Sequence, residues 1–545
     1  MSSSAQTTGR TRLPLTLLAL ALAGTCALAP SASSAAAVSR APDVTAIVTG
    51  AGQSVDAVAA AVRAAGGSVV DRLPLVGGVV ARLPRGAALA PSLLVAPDRP
   101  LQVAGSSGTA AAADGSVVGP RATVGLGGPA GEGAGSTVAV GDTGIADVPG
   151  LPRVSHVDVT GAGTGDGFGH GTFVAGLIAG TGASGVPAGI APGAALLDVR
   201  VAASDGTTSL SRVLKGLQVV AAHPEVDVVN LSLSSGSELP YQLDPLTVAL
   251  EALWQRGVTV VVPSGNTDGS AGSVTSPGLD PVLLTVGGLD EQGTADRSDD
   301  AVAGWSGRGP APQGVDKPDL VAPGASLVSL RAPGSTVDST YPGSRVGTAG
   351  FRGSGTSFST ALASGAAATL MGRRTLSPDQ VKALLTGSAY RGDTLGGAGV
   401  AGAGGLDVAA AQAAPTPKVT LLPRPDGAQS AAVLQAALAG NPLAALAAWS
   451  RLSPQTRLWV SRNWASRNWA DGDWASRNWA DLDWLSRNWA SSTWAGSTWS
   501  GSTWSGSTWS GSTWSDSTWS GSTWSGSTWS GSTWSSSSWS AADWS

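Results

Sequence analysis

Apolar and polar positions along this chain fall into three contrasting textures. In the first, positions 44–49 (Val-Thr-Ala-Ile-Val-Thr) read as a strand, and Ser54 stands as a cap before a helix from Val55 to Ala65. Val55, Val58 and Val62 recur at the i, i+3, i+7 spacing of one helical face. Gly66-Gly67 ends the helix, and strand-like runs follow at Ser68–Val70 and Val76–Leu83. Together these make a small α+β unit of βαβ type within 38–101. Positions 102–135 are rich in Gly, Ala and Ser and read as an exposed, cleavable linker.

The second texture runs from 136 to 412. Short, almost wholly apolar runs (Val138–Val140, Leu196–Val199, Val226–Leu233, Val258–Val262, Val282–Val286) alternate with helix-like stretches. Such runs are what strands buried on both faces look like, so the pattern predicts an α/β layer fold with a mostly parallel central sheet. Pro415-Thr416-Pro417 then opens a second linker, 413–450, with two short Ala/Leu helices expected within Ala428–Trp449.

The third texture, 451–545, is a low-complexity repeat with Trp at every fifth position from Trp459 to Trp544. A period of five gives no single face on a helix and alternates sides on a strand. A square β-solenoid takes five residues per side and would stack Trp in columns. Against it stand the bulk of Trp and the inward-pointing Arg462, Arg467, Arg477 and Arg487 that it would require. The Gly-Ser-Thr composition favours a flexible tail that touches a cell surface or polysaccharide through its indoles.

Composition sharpens this division. Of the aromatic residues 21 are Trp, against 4 Phe and 3 Tyr; only Trp254, Trp305 and Trp449 fall outside the repeat. A charged fraction of 13% and a net charge of −5 exclude the basic excess of a nucleic-acid binder. Positions 1–37 read as a secretory signal, with Arg10 and Arg12 ahead of the uncharged run Leu13–Ala29 and an Ala27-Leu28-Ala29 cleavage site. The single cysteine, Cys26, lies inside it, so the exported chain has no disulfide and depends on its core.

Four stretches of the middle segment carry chemistry. Val138-Ala-Val-Gly-Asp142-Thr-Gly144 is an apolar strand ending in a carboxylate and a tight turn, and Gly169-His170-Gly171-Thr172 starts a helix with a histidine. Gly355-Thr356-Ser357 sets a serine at a Gly-rich turn before an Ala-rich helix, and Val260–Asn266 presents an amide at a strand end. Acyl transfer needs these parts: a hydroxyl nucleophile, an imidazole to take its proton, a carboxylate to orient the imidazole, and N–H donors for the oxyanion. His156 and His223 carry no such context and read as surface or core histidines.

The four stretches, in the order Asp, His, Asn, Ser, resemble the D-[ST]-G, G-H-G-T-x-V-A-G, G-N and G-T-S signatures of the subtilisin-like serine peptidases, the subtilases. Similar too are Val229-Asn230-Leu-Ser232-Leu-Ser234, Ser306-Gly-Arg308-Gly-Pro310 and Lys317-Pro-Asp319-Leu-Val-Ala-Pro323-Gly324. The resemblance implies a three-layer subtilisin-like fold, with Asp142 as orienting acid, His170 as general base, Ser357 as nucleophile and Asn266 as oxyanion donor. It implies a substrate-binding strand at Ser232, Leu233 and Ser234, with Gly265 beside it, and protein or peptide substrates. It makes the N-terminal unit a propeptide acting as an intramolecular inhibitor, released by processing between about Val103 and Gly135. No cofactor and no catalytic metal are implied; a structural calcium ion is left open but not indicated, since Gly180–Pro192 holds no Asp or Asn. Departures are the missing proline after Ser357, and Ser234 where Gly is usual, which is expected to narrow the cleft. The competing class is a surface- or glycan-binding protein in which the peptidase fold is an inactive scaffold.

Overall fold

The computed structural model describes residues 43–50, 53–90, 93–103, 119–127, 131–182, 185–237, 241, 243–310 and 316–419, with short backbone segments between 468 and 544. The signal region, positions 104–118 and the helices expected within Ala428–Trp449 lie outside the described residues.

The N-terminal unit comprises β1 (Val44–Gly50), α1 (Val55–Ala64), β2 (Ser68–Leu73), β3 (Gly78–Leu83) and β4 (Leu93–Pro97). Ser54 caps α1 by accepting the Ala57 N–H at 3.2 Å, a contact worth about 1 kcal/mol. The helix turns Val58, Ala59 and Val62 inward, where they join Ala46, Val48, Val79 and Ala81 in one core. The sheet order is β2-β3-β1-β4, and β1 runs antiparallel to both its neighbours. β2 is antiparallel to β3 as well, so β1 and β2 run parallel and are joined through α1: the expected βαβ arrangement is present in split form, with β3 between its two strands. A tight turn at Pro74–Val76, closed by Gly77 in the left-handed region, folds β2 and β3 into a hairpin.

The linker expectation also changes at both ends. Pro100–Val103 forms β5, which leaves the N-terminal sheet. Further on, Pro120–Thr123 forms the short helix α2. There the buried Arg121 donates to the carbonyls of Gly189 and Ile190 at 2.9 and 3.1 Å and pairs with Glu132 at 3.2 Å. The end of this stretch thus belongs to the packed α/β region.

That region continues with β6 (Thr137–Asp142), β7 (Val154–Asp158), α3 (His170–Ala179), β8 (Ala195–Arg200), β9 (Thr207–Ser209), α4 (Leu210–Ala221), β10 (Val228–Leu231) and β11 (Leu233–Ser234). After these come α5 (Pro245–Gln255), β12 (Thr259–Pro263), β13 (Leu284–Asp290), β14 (Ala301–Val302), β15 (Leu320–Pro323), α6 (Thr336–Thr340) and α7 (Thr356–Met371). The main sheet has the order β14-β13-β12-β10-β6-β8-β7, with β15 also beside β13. Its described strands are parallel except β14. Every residue of β10, β12 and β15 is buried; since side chains alternate faces, both faces are covered. α3 and α7 pack on each other and on the sheet, and α4 pairs with α5. α7 is built of Ala, Ser, Thr and Gly and is buried from Thr356 to Leu370. A Cβ at Gly365 would lie 2.7 Å from that of Ile190, so small residues set how closely this helix approaches.

In the repeat, the described backbone forms short strands from Asn468–Ala470 to Asp543–Trp544, arranged as four parallel sheets. Each pairs with the strand twenty residues on, as in Trp469↔Trp489 and Trp489↔Trp509. Four pentads thus make one turn of a solenoid, which differs from the flexible tail expected. Parallel in-register stacking satisfies the backbone without needing an amphipathic period.

Candidate active site

Parallel strands bring their C-terminal ends to one edge of the sheet, and β6 delivers Asp142 there. Both its carboxylate oxygens lie 2.9 Å from His170 Nδ1, and both side chains are buried. A bidentate acceptor on Nδ1 fixes the proton on that nitrogen and leaves Nε2 as the acceptor. His170 Nε2 is buried with no hydrogen-bond partner. The imidazole stacks on Phe358, the residue after Ser357, at 5.4 Å between centroids, and Phe358 leans on Phe173 of α3 at 4.2 Å. Two glycines make this approach feasible. Gly144 follows the Asp142 turn with φ 104°, and its Cβ would lie 2.1 Å from the Gly165 carbonyl oxygen. Gly169 precedes His170 with φ 106°, a region L side chains rarely adopt.

A carboxylate that sequence reasoning did not single out ties these pieces together. Asp166 accepts from Thr143 Oγ1 at 2.8 Å and from the Phe168 and Gly169 N–H groups at 3.2 and 2.7 Å. It also accepts from Thr172 N and Oγ1 at 2.8 and 2.7 Å. Thr143 Oγ1 in turn accepts the Gly171 N–H at 3.0 Å, and Thr172 Oγ1 the Ala146 N–H at 2.9 Å. The Asp142 turn and the head of α3 are thereby one clamped unit. Burial pushes the Asp166 carboxyl up, and these donors pull it the other way. The only available signal was an acid placed four residues before His170.

His156 proves to have a partner as well. Its Nδ1 lies 2.9 Å from Asp198, whose same oxygen accepts the Ile145 N–H at 3.0 Å. Burial pushes Asp198 up to about 6.

Ser357 sits in the first turn of α7 and is buried. α7 runs unbroken to Met371, as the missing proline predicts. Asn266 follows β12, and its Oδ1 accepts from Thr356 N and Oγ1 at 2.8 and 2.9 Å. With the oxygen held, the amide is oriented through the residue preceding the serine. A second buried chain links the serine to the cleft strand: Ser364 Oγ donates to Asn230 Oδ1 at 3.0 Å, Asn230 Nδ2 to Ser232 Oγ at 2.9 Å, and Ser232 Oγ to the Ser357 carbonyl at 3.3 Å. Ser364, on the same helix, was not anticipated.

The expected substrate strand is occupied. β5 lies between β9 and β11 and runs antiparallel to both, with Val103↔Leu233, Gln102↔Ser234, Leu101↔Thr208 and Pro100↔Ser209. Leu101 and Val103 point inward and are buried, while Pro100 and Gln102 face out. Ser234 pairs in register with an extended chain, so its hydroxyl does not block one. Gly265 turns its carbonyl to the Gly307 N–H at 2.9 Å and is not among the residues paired with β5. Among the described residues no group of three or more His, Cys, Asp or Glu is placed to hold a metal ion.

The sequence model of the subtilase family matches residues 133–412. The chain is 39% identical over 269 residues to the serine protease AprX of Bacillus subtilis (strain 168), covering 46% of this chain and 61% of that protein. It is 36% identical over 238 residues to subtilisin Savinase of Lederbergia lenta, covering 43% of this chain and 76% of that one. Among solved structures it resembles fervidolysin from Fervidobacterium pennivorans, described as a keratinolytic enzyme related to subtilisin. That likeness has a TM-score of 0.53 at 22% identity and covers 69% of this chain and 62% of the other. The similarity thus spans less than two thirds of AprX and of fervidolysin.

Proposed function

The chain belongs to the subtilase family, and from that premise we propose that it is an exported serine endopeptidase made as a self-processing proenzyme. The observation that carries this reading is the imidazole of His170, gripped through Nδ1 by Asp142 and stacked beside the residue that follows Ser357. In the proposed reaction Ser357 Oγ attacks the peptide carbonyl while His170 Nε2 takes the hydroxyl proton. Asp142 stabilises the resulting imidazolium without itself being protonated. Negative charge gathers on the carbonyl oxygen, where the Asn266 amide and the Ser357 N–H would receive it; a donor of this kind is worth about 3–4 kcal/mol. His170 then passes its proton to the leaving amine, and water repeats the sequence on the acyl-enzyme.

In this reading the N-terminal unit is the propeptide, and β5 is the product-like strand that keeps the cleft closed until processing within 104–135. The unit docks on α4 and α5 through Leu75 and Val76, buried in one core with the α/β region, with the Leu75 N–H donating to Gln218 and Lys215 paired with Asp71 at 3.8 Å, as suits an inhibitor held in place until processing. Ser357→Ala should abolish both caseinolysis and cleavage of the N-terminal unit; processing that continued unchanged would refute the assignment. For the tail the proposal is weak attachment to an envelope or polysaccharide surface, supported by the pairing of tryptophan positions between turns. A chain ending at Trp449 that bound such surfaces as well as the full chain would overturn it.

A further inference from the structure

We propose that Asp244 and Ser235 form a subsite for a basic side chain at one end of the cleft, filled by Arg99 here and open to an arginine of a substrate once Arg99 departs. The inference rests on the peptidase reading and adds a substrate preference to it. Arg99 Nη2 lies 2.8 Å from each Asp244 carboxylate oxygen and 3.3 Å from Ser235 Oγ. The Asp244 side chain is fully buried, and that of Arg99 only 14% exposed.

The receiving carboxylate is held by the α/β region alone. Asp244 caps α5 by accepting the Leu246 N–H at 3.1 Å, and it accepts from Ser276 Oγ at 3.0 Å. An ionised carboxylate has about four acceptor positions; two are used for these internal contacts and the remainder face Arg99. Removing Arg99 would therefore leave the acceptor in place but unpaired, and a preorganised buried charge favours whichever cation replaces the first.

The depth at which the cation sits is set by the strand that sets the cleft register. The Arg99 carbonyl accepts the Leu210 N–H at 3.0 Å, and β5 begins at the next residue. Side chains of an extended chain alternate faces, so Arg99, Leu101 and Val103 share the face turned to the α/β region. One residue earlier, Asp98 accepts from Ser211 N and Oγ at 2.8 and 2.7 Å and anchors the upstream end. The preferred substrate is an extended peptide with a basic residue four positions before the one opposite Leu233, and an aliphatic residue midway between.

Two measurements test this, the first on the full chain and the second on the processed one. In a Ser357→Ala background, hydrogen exchange of the Leu101–Val103 amides is compared for Arg99→Ala, Asp244→Asn and the pair; Asn keeps the helix cap. Each single change should speed exchange about ten- to a hundredfold, the range for hydrogen bonds to a charged partner, and the pair should add nothing further. Unchanged exchange, or effects that multiply, would overturn the site whether or not the chain is a peptidase. The processed chain is then given fluorogenic peptides copying 96–108 with Arg or Ala at position 99. The Arg peptide should have a kcat/KM about tenfold or more higher, a ratio that collapses in Asp244→Asn. Equal cleavage of the two by the parent would overturn the substrate preference, while loss of all cleavage would count against the peptidase reading and leave the exchange result to decide the subsite.

Discussion

At the head of α3 the buried Asp166 receives donors from five groups, while at the end of β13 the buried Glu291 is left with an oxygen that has no partner. Both carboxyls are pushed up by burial, Glu291 to about 8, with the like charges of Asp300 and Asp290 adding to the rise. Nearby, Asp300 accepts from the Tyr390 hydroxyl, and Arg297 lies over the Tyr390 ring at 4.3 Å while pairing with Asp407 at 2.7 Å. Donors cluster where the position of a charge fixes the geometry of His170 and Asp142. Where nothing of that kind depends on the acid, burial and neighbouring like charges favour its protonated form.

The harshest way to break this contrast is Asp166→Ala, which orphans buried N–H and hydroxyl groups in the Asp142 turn and in α3. We expect about 3–5 kcal/mol of lost stability, measured by denaturant unfolding in the Ser357→Ala background, and a drop in peptide cleavage of at least about a hundredfold. Gly144→Ala attacks the same clamp through the backbone. Its strained φ and contact with Gly165 predict about 2–3 kcal/mol and a fall in kcat larger than any rise in KM.

At the other pole, Glu291 predicts a pH dependence. A carboxyl whose folded pKa is raised from 4.5 to about 8 stabilises the fold below pH 4.5 and loses that contribution as pH rises through 8. Stability should therefore decline across this window by up to about 1.4 kcal/mol per pH unit, and Glu291→Gln should flatten the decline; an unchanged slope would refute the protonated state. Smallest, Tyr390→Phe removes the donor to Asp300 and should cost about 1 kcal/mol, read as a shift in the denaturant midpoint.

The same contrast marks what the sequence could disclose. Asp142, His170, Asn266 and Ser357 were legible because each sits where an apolar run meets a Gly-rich turn, and the runs themselves became β6, β8, β10, β12 and β13. The order of strands was not legible: in the N-terminal unit β3 enters between β1 and β2, and no local pattern records which segment pairs with which. β4 and β5 escaped notice because Pro97 and Pro100 break a run only a few residues long. Arg99 and Asp244 stand 145 positions apart, and no local pattern joins an arginine in one segment to a helix cap in another. In the tail, composition pointed to a linker because stacking between identical repeats leaves no trace in any one of them.

The position of β5 between two strands has a consequence for the shape of what can enter. Neighbouring strands lie about 4.8 Å apart, so with β5 withdrawn the backbone axes of β9 and β11 would stand about 9.6 Å apart, leaving a slot one strand wide. A single extended chain fills such a slot and pairs with both walls, whereas an α-helix with its side chains is about 10–12 Å wide and a strand already in a sheet brings its neighbours along. The cleft is then a gauge of conformation before it is a reader of side chains. Under the proposed peptidase reading, compact proteins would pass it intact, and the first cuts in any mixture would fall in loops, termini and unfolded chains.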